Sequence, residues 1–146
     1  MESIRLKARA KINLGLDVIG RRENGYHDVR MVMQTVGLYD RIIMTRIPEK
    51  EIRIKTNIGF LPVNENNLVY KAIKYKLDGG IEVDLNKFIP VAAGMAGGSS
   101  DAASALFGMN RLYELNLPIG ELMNIGVEIG ADVPYCIMRG TALAEG

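Results

Sequence analysis

Pro90-Val91-Ala92-Ala93-Gly94-Met95-Ala96-Gly97-Gly98-Ser99-Ser100-Asp101-Ala102-Ala103 separates a strand-like run from a helical one. The rest of the chain can be placed around this stretch. It holds three glycines, and no β-branched side chain follows Val91. Glycine reaches φ > 0 without a Cβ clash, so a loop of this composition lets several backbone N–H groups converge on one point. The helix that follows adds its own unpaired N–H groups and roughly +0.5 of partial charge. Together these make an anion cradle, with phosphate the usual occupant. Ser99 and Ser100 stand where hydroxyls can reach phosphate oxygens or a metal ion. A plainer reading stays open, in which the stretch is a tight strand-to-helix connection and Asp101 is a capping residue. The run is not a Walker A loop, because the lysine of G-x-x-x-x-G-K-[ST] is absent, and it is not G-x-G-x-x-G.

The 146 residues suffice for one domain with a real core. Apolar residues make up 48% and charged ones 24%, the balance of an ordinary globular protein. A formal net charge of +1 gives no global case for nucleic acid or an anionic membrane. Trp is absent and aromatics are 6%, which argues against a base-stacking platform. A single cysteine, Cys136, excludes an internal disulfide, suits a reducing compartment and reads as a buried structural thiol. No apolar run approaches the ~18 residues of a membrane span, and the charged, alternating N-terminus does not fit a signal peptide. A cytoplasmic location is therefore expected, with no membrane partner and no nucleic acid.

Ile4 to Val18 alternates. Ile4, Leu6, Ala8, Ala10, Ile12, Leu14, Leu16 and Val18 face one way; Arg5, Lys7, Arg9, Lys11, Asn13 and Asp17 face the other. Period two predicts one long bent strand or two strands, with a basic polar face. Asn24-Gly25 predicts a turn, and Tyr26 and His27, the only histidine, follow it. Arg30 to Leu38 reads as a strand. Asp40 to Ile47 and Glu51 to Thr56 read as a hairpin around Pro48-Glu49-Lys50. Asn66 or Asn67 can cap a helix from Leu68 to about Leu77. Ile81 to Leu85 is a further strand leading to the glycine loop. After Asp101 the apolar period becomes helical through Tyr113. Pro118 to Ile129 is a second helix with Gly130 as its stop, and Tyr135 to Met138 reads as a short strand.

Three ordered blocks resemble the GHMP kinase superfamily: Lys11-Ile12-Asn13-Leu14, the loop from Pro90 to Ala103, and Gly130-Ala131-Asp132-Val133-Pro134. Within it, Ala10-Lys11-Ile12-Asn13-Leu14, Gly20-Arg21-Arg22 with Gly25-Tyr26-His27, and Ile89-Pro90-Val91-Ala92-Ala93-Gly94 resemble the branch whose acceptor is 4-diphosphocytidyl-2-C-methyl-D-erythritol. The resemblance implies an α+β fold of the ribosomal protein S5 domain 2-like type, a mostly antiparallel sheet with helices on one side. Residues 1–146 would then be the N-terminal, ATP-binding domain, and the family's C-terminal domain is expected to be absent. The helix between Tyr70 and Gly79 is expected to be shorter than is usual for the family.

By the same resemblance, the γ-phosphoryl of ATP passes to the acceptor's 2-hydroxyl, a step of non-mevalonate isoprenoid synthesis. Pro90, Val91, Ala92, Ala93, Gly94, Met95, Ala96, Gly97, Gly98, Ser99 and Ser100 would cradle the phosphates, with Ser99 on Mg²⁺. Asp132 matches the proposed base, a carboxylate that is ionised at neutral pH, and Lys11 matches the lysine beside it. Asn13, Tyr26 and His27 would hold the substrate, Tyr26 and His27 gripping its cytosine. Asp132 as a plain helix-end turn residue stays open, although a carboxylate just past a helix C-terminus is electrostatically unfavourable. Two other functions also stay open: a GHMP kinase for mevalonate, homoserine or a sugar, and a non-catalytic domain that binds nucleotide or RNA.

Overall fold

The computed structural model describes residues 2–21, 27–90 and 97–138, with the backbone alone described for residues 11–21 and 27–36 and for Lys76. Four strands and four helices follow in the order β1 (Ser3–Arg21), β2 (His27–Ile47), β3 (Ile52–Thr56), α1 (Leu68–Lys76), β4 (Gly80–Asn86), α2 (Gly97–Leu112), α3 (Ile119–Ile129) and α4 (Val133–Met138). The sheet order is β1-β2-β4-β3. The β1–β2 and β2–β4 pairs are antiparallel and β3–β4 is parallel. This is the mostly antiparallel α+β architecture expected from the residues.

Alternation decides the faces. Ile4, Leu6, Ala8 and Ala10 of β1 are buried, as are Ile42 and Met44 of β2 and Ile81, Val83 and Leu85 of β4. Helices α1 and α2 pack on this one face. The opposite face carries Arg5, Lys7, Arg9 and Arg41. The Lys7 ammonium and the Arg9 guanidinium lie 5.1 and 5.7 Å from the Tyr39 ring centre, and Arg41 lies 5.7 Å from that of Phe88.

The expected hairpin of 40–47 with 51–56 does not form. The turn at Pro48-Glu49-Lys50 exists, but β4 pairs with β2 from Arg41 to Ile47, and β3 lies beyond it, parallel to β4. A parallel neighbour needs a crossover, and α1 supplies it. Asn67 caps α1: its side-chain carbonyl accepts from the Val69 N–H at 2.9 Å, while its amide donates to the Pro62 carbonyl at 2.9 Å. Val69, Ala72 and Ile73 form the buried stripe of this helix.

Gly80 opens β4 where the chain is tightest. A Cβ there would stand 1.7 Å from the Glu49 carbonyl oxygen and 2.8 Å from the Ile47 carbonyl oxygen. These are backbone atoms and cannot rotate away. Gly80→Ala is therefore expected to cost about 1–3 kcal/mol through overpacking, read as a lower urea midpoint with an unchanged denaturant slope.

Helix α2 is central, in contact with β1, β2, α1, α3 and α4. Its small residues Ala102, Ala103 and Ala105 allow close approach, and Leu106, Met109 and Leu112 fill the core. Asn110 fixes the connection to α3 by donating to the Leu117 carbonyl at 3.0 Å and accepting from the Leu117 N–H at 2.9 Å. Helix α3 starts after Pro118 and stops at Gly130, both as expected. Residues Val133–Met138 form helix α4, not a strand. Val133 and Cys136 of α4 are buried, and the helix packs on α2 and α3. None of the described helices is long and apolar enough to cross a membrane.

Candidate functional site

The glycine-rich stretch runs from the end of β4 into α2. Of its residues, Pro90 and Gly97 to Ser100 are described, whereas Val91, Ala92, Ala93, Gly94, Met95 and Ala96 lie outside the described residues. Gly97 opens α2, Gly98 is exposed, and Ser99 is half-buried. The unpaired N–H groups of this first turn are the feature an anion requires. A Cβ at Gly97 would lie 3.0 Å from Ile89 Cγ2 and 3.1 Å from Lys87 Nζ. Glycine is what lets α2 begin so close to the end of β4.

Ser100 has a different surrounding from Ser99. It is fully buried, and its hydroxyl donates to the Arg9 carbonyl at 2.6 Å. In this structure that hydroxyl fastens α2 to β1, two residues before Lys11. The β1–β2 register shifts at the same place: Arg9 pairs with Tyr39, but Lys11 pairs with Thr35. Such irregularities re-aim side chains, and they gather beside functional sites. The first turn of α2 and the approach to Lys11 are thus brought together. The side chains of Lys11 and Asn13 lie outside the described residues.

Asp132 is exposed, in the turn between α3 and α4. Its carbonyl accepts the Cys136 N–H at 3.2 Å, and the Gly130 carbonyl accepts the Val133 N–H at 3.2 Å. The carboxylate therefore precedes the start of one helix as much as it follows the end of another. Its position just after α3 is no longer an electrostatic oddity calling for a functional explanation. The packing of α4 on α2 carries this turn on the same helical layer as α2. Tyr26 lies outside the described residues. The His27 backbone pairs with Arg21 at the far end of the β1–β2 ribbon, with its side chain outside the description.

Between the end of β4 and the first turns of α2 lies a charged cluster that the sequence did not announce. Asp40, Lys87 and Asp101 are 0%, 7% and 2% exposed. The Lys87 ammonium donates to Asp40 Oδ2 at 2.6 Å and to Asp101 Oδ2 at 2.7 Å. Asp40 Oδ1 accepts the N–H groups of Phe88 and Ile89 at 2.6 and 2.8 Å. Asp101 is the fifth residue of α2, so it is an interior ion partner and not a cap. Its Oδ1 is buried with no hydrogen-bond partner. Burial, reinforced by the neighbouring Asp40 carboxylate, pushes Asp101 well above the usual carboxylate range. Burial works to lower Lys87, but Asp101 and Asp40 outweigh it and hold the ammonium above its ordinary value. The Asp40 oxygens accept three hydrogen bonds.

The profile of the GHMP kinases N terminal domain matches residues 67–140, and the chain belongs to that family. Over its full length it is 91% identical to a 4-diphosphocytidyl-2-C-methyl-D-erythritol kinase of Lachnospira eligens, covering 52% of that protein. The crystal structure of a 4-(cytidine 5'-diphospho)-2C-methyl-D-erythritol kinase superposes with a TM-score of 0.74 at 33% identity, over 97% of this chain and 51% of the other. A homoserine kinase from Cytophaga hutchinsonii, at 20% identity and a TM-score of 0.68 over 88% of this chain and 41% of its own, shares the fold. The chain spans about half the length of the curated relatives it matches. The match to the Lachnospira protein runs over 151 positions against 146 residues here, so at least five positions of that relative have no counterpart in this chain.

Proposed function

We propose that residues 1–146 form the ATP-binding N-terminal domain of an ATP-dependent kinase that phosphorylates the 2-hydroxyl of 4-diphosphocytidyl-2-C-methyl-D-erythritol. The observation that carries this reading is the 91% identity over the whole chain to a kinase of that name. The family's second domain completes the substrate site. Transfer of a phosphoryl group is mainly a matter of in-line positioning and of neutralising spread charge. The loop from Pro90 to Ser100 supplies N–H groups to the triphosphate. Asp132, exposed, accepts the proton of the acceptor hydroxyl. Lys11 would stand beside it and stabilise the developing alkoxide. Asn13, Tyr26 and His27 orient the acceptor, the latter two through its cytosine.

Mg²⁺ supplies charge neutralisation on the phosphates when bound. Among the described residues no group of three His, Cys, Asp or Glu side chains is placed to hold a metal ion. Ser99 would be the protein hydroxyl offered to the ion. The enzyme is read as cytoplasmic and its working partners as small molecules.

The test is an ATP-dependent assay of the full-length enzyme that contains this domain, with each acceptor offered separately. Turnover of the cytidyl substrate, with none of mevalonate or homoserine, is the expected result. Turnover of another acceptor in its place would overturn the assignment.

A further inference from the structure

We propose that Asp40, Lys87 and Asp101 form a buried clamp that fixes the two ends of the glycine loop against each other and so positions the loop for nucleotide. The inference rests on the reading of that loop as a nucleotide site. It makes these three residues positioning residues, none of them touching ATP.

The geometry is specific to the loop. On the side where the chain leaves β4, Asp40 Oδ1 takes the N–H groups of Phe88 and Ile89, the two residues before Pro90. On the side where the chain enters α2, Asp101 takes Lys87. The Lys87 ammonium joins the two sides, and it lies against Gly97, at 3.1 Å from where a Cβ would be. Lys87, just past β4, thus joins Asp101 of α2, 14 positions away, to Asp40 of β2, 47 positions away. Ordinary stability does not call for this. A well-packed apolar trio is commonly as stable as a buried ion cluster or more so. Directional bonds from one ammonium to both flanks supply what apolar packing lacks, a defined separation between the loop's ends. In a phosphate cradle that separation sets where the N–H groups point, and misplacement by about 1 Å can cost on the order of 10²-fold in rate.

The experiment uses the full-length enzyme with two variants. K87M removes the ammonium alone. K87M/D40N removes the ammonium together with the carboxylate charge, and keeps a side-chain oxygen for the Phe88 and Ile89 N–H groups; it is the variant to use where K87M does not fold. Hydrogen exchange is followed for peptides spanning residues 88–103 and for peptides of α3, and the ATP dissociation constant is measured by titration. The clamp predicts exchange in the loop flanks faster by about tenfold or more beyond any change seen in α3 of the same variant, and ATP binding weakened by about tenfold. The affinity for the cytidyl acceptor should stay within about twofold, a split that general destabilisation would not give. Unchanged loop exchange in a folded variant overturns the proposal. So does a loosened loop with unchanged ATP affinity. A wild-type enzyme that fails to bind ATP, together with a loop that loosens in the variant, refutes the nucleotide reading and supports the mechanical clamp.

Discussion

Replacing Asp132 by Asn in the full-length enzyme is expected to lower kcat by about 10²–10⁴-fold, the usual contribution of a positioned general base. The substitution is close to isosteric and the side chain is exposed, so the fold should be indifferent to it. The backbone role survives as well, because the Asp132 carbonyl, not its carboxylate, accepts the Cys136 N–H. What disappears is the ability to take a proton from the acceptor. KM for ATP should move little, since the proposed phosphate cradle lies at the start of α2. Steady-state kinetics with circular dichroism on the same sample checks the claim. Near-normal kcat in a folded protein would leave Asp132 as a turn residue between α3 and α4 and nothing more.

Lys87→Met is expected to destabilise the fold by about 3–5 kcal/mol, because it strands a buried carboxylate that has lost its ammonium. Chemical denaturation measures it. The acidic partner gives this prediction a pH dependence of definite sign. Burial raises Asp101 in the folded state, so the folded protein keeps a proton that the unfolded chain has already released. The associated stability is fully present below the ordinary Asp range near ~3.9 and is lost as pH rises through the folded value. Lys87, also raised, loses its contribution only in the alkaline region. Asp101→Asn removes this titrating group and should flatten the decline of stability above the carboxylate range. A variant whose urea midpoint falls with pH across that range as steeply as the wild type's would contradict the raised position of Asp101.

Much of the architecture was legible from local pattern. Alternation from Ile4 onward predicted β1 and its inward face. Asn67, Pro118 and Gly130 marked the helix ends through elementary capping chemistry. The failures have physical causes. The turn after Ile47 is real, but a turn does not say which strand the next one pairs with. The partner of β3 is β4, beyond a loop and a helix, and a local reading cannot see it. Tyr135 to Met138 is a short apolar run, whose period does not separate strand from helix. Of the proposed site, the loop stood out by its composition, whereas the turn at Asp132 was singled out only through the resemblance of the ordered blocks. The clamp was missed because Asp40 sat at an expected strand start and Lys87 lies just past the expected strand Ile81 to Leu85. A signal was available: alternation puts Lys87 on the same face as Ile81, Val83 and Leu85, the face that is buried.

The bond between Ser100 and Arg9 also has a consequence for how the molecule is made. Its partners are 91 residues apart. At about 5–20 residues per second, roughly 5 to 20 seconds of synthesis pass after Arg9 emerges before its partner exists. Until then β1 can pair with β2, but the floor of its inner face, made by α2, is missing. The strand carrying Lys11 and the helix that opens the anion cradle are united by one of the most non-local contacts in the chain, the kind that forms late. Ligand-binding competence therefore arrives near the end of folding, after the sheet has already committed to its order.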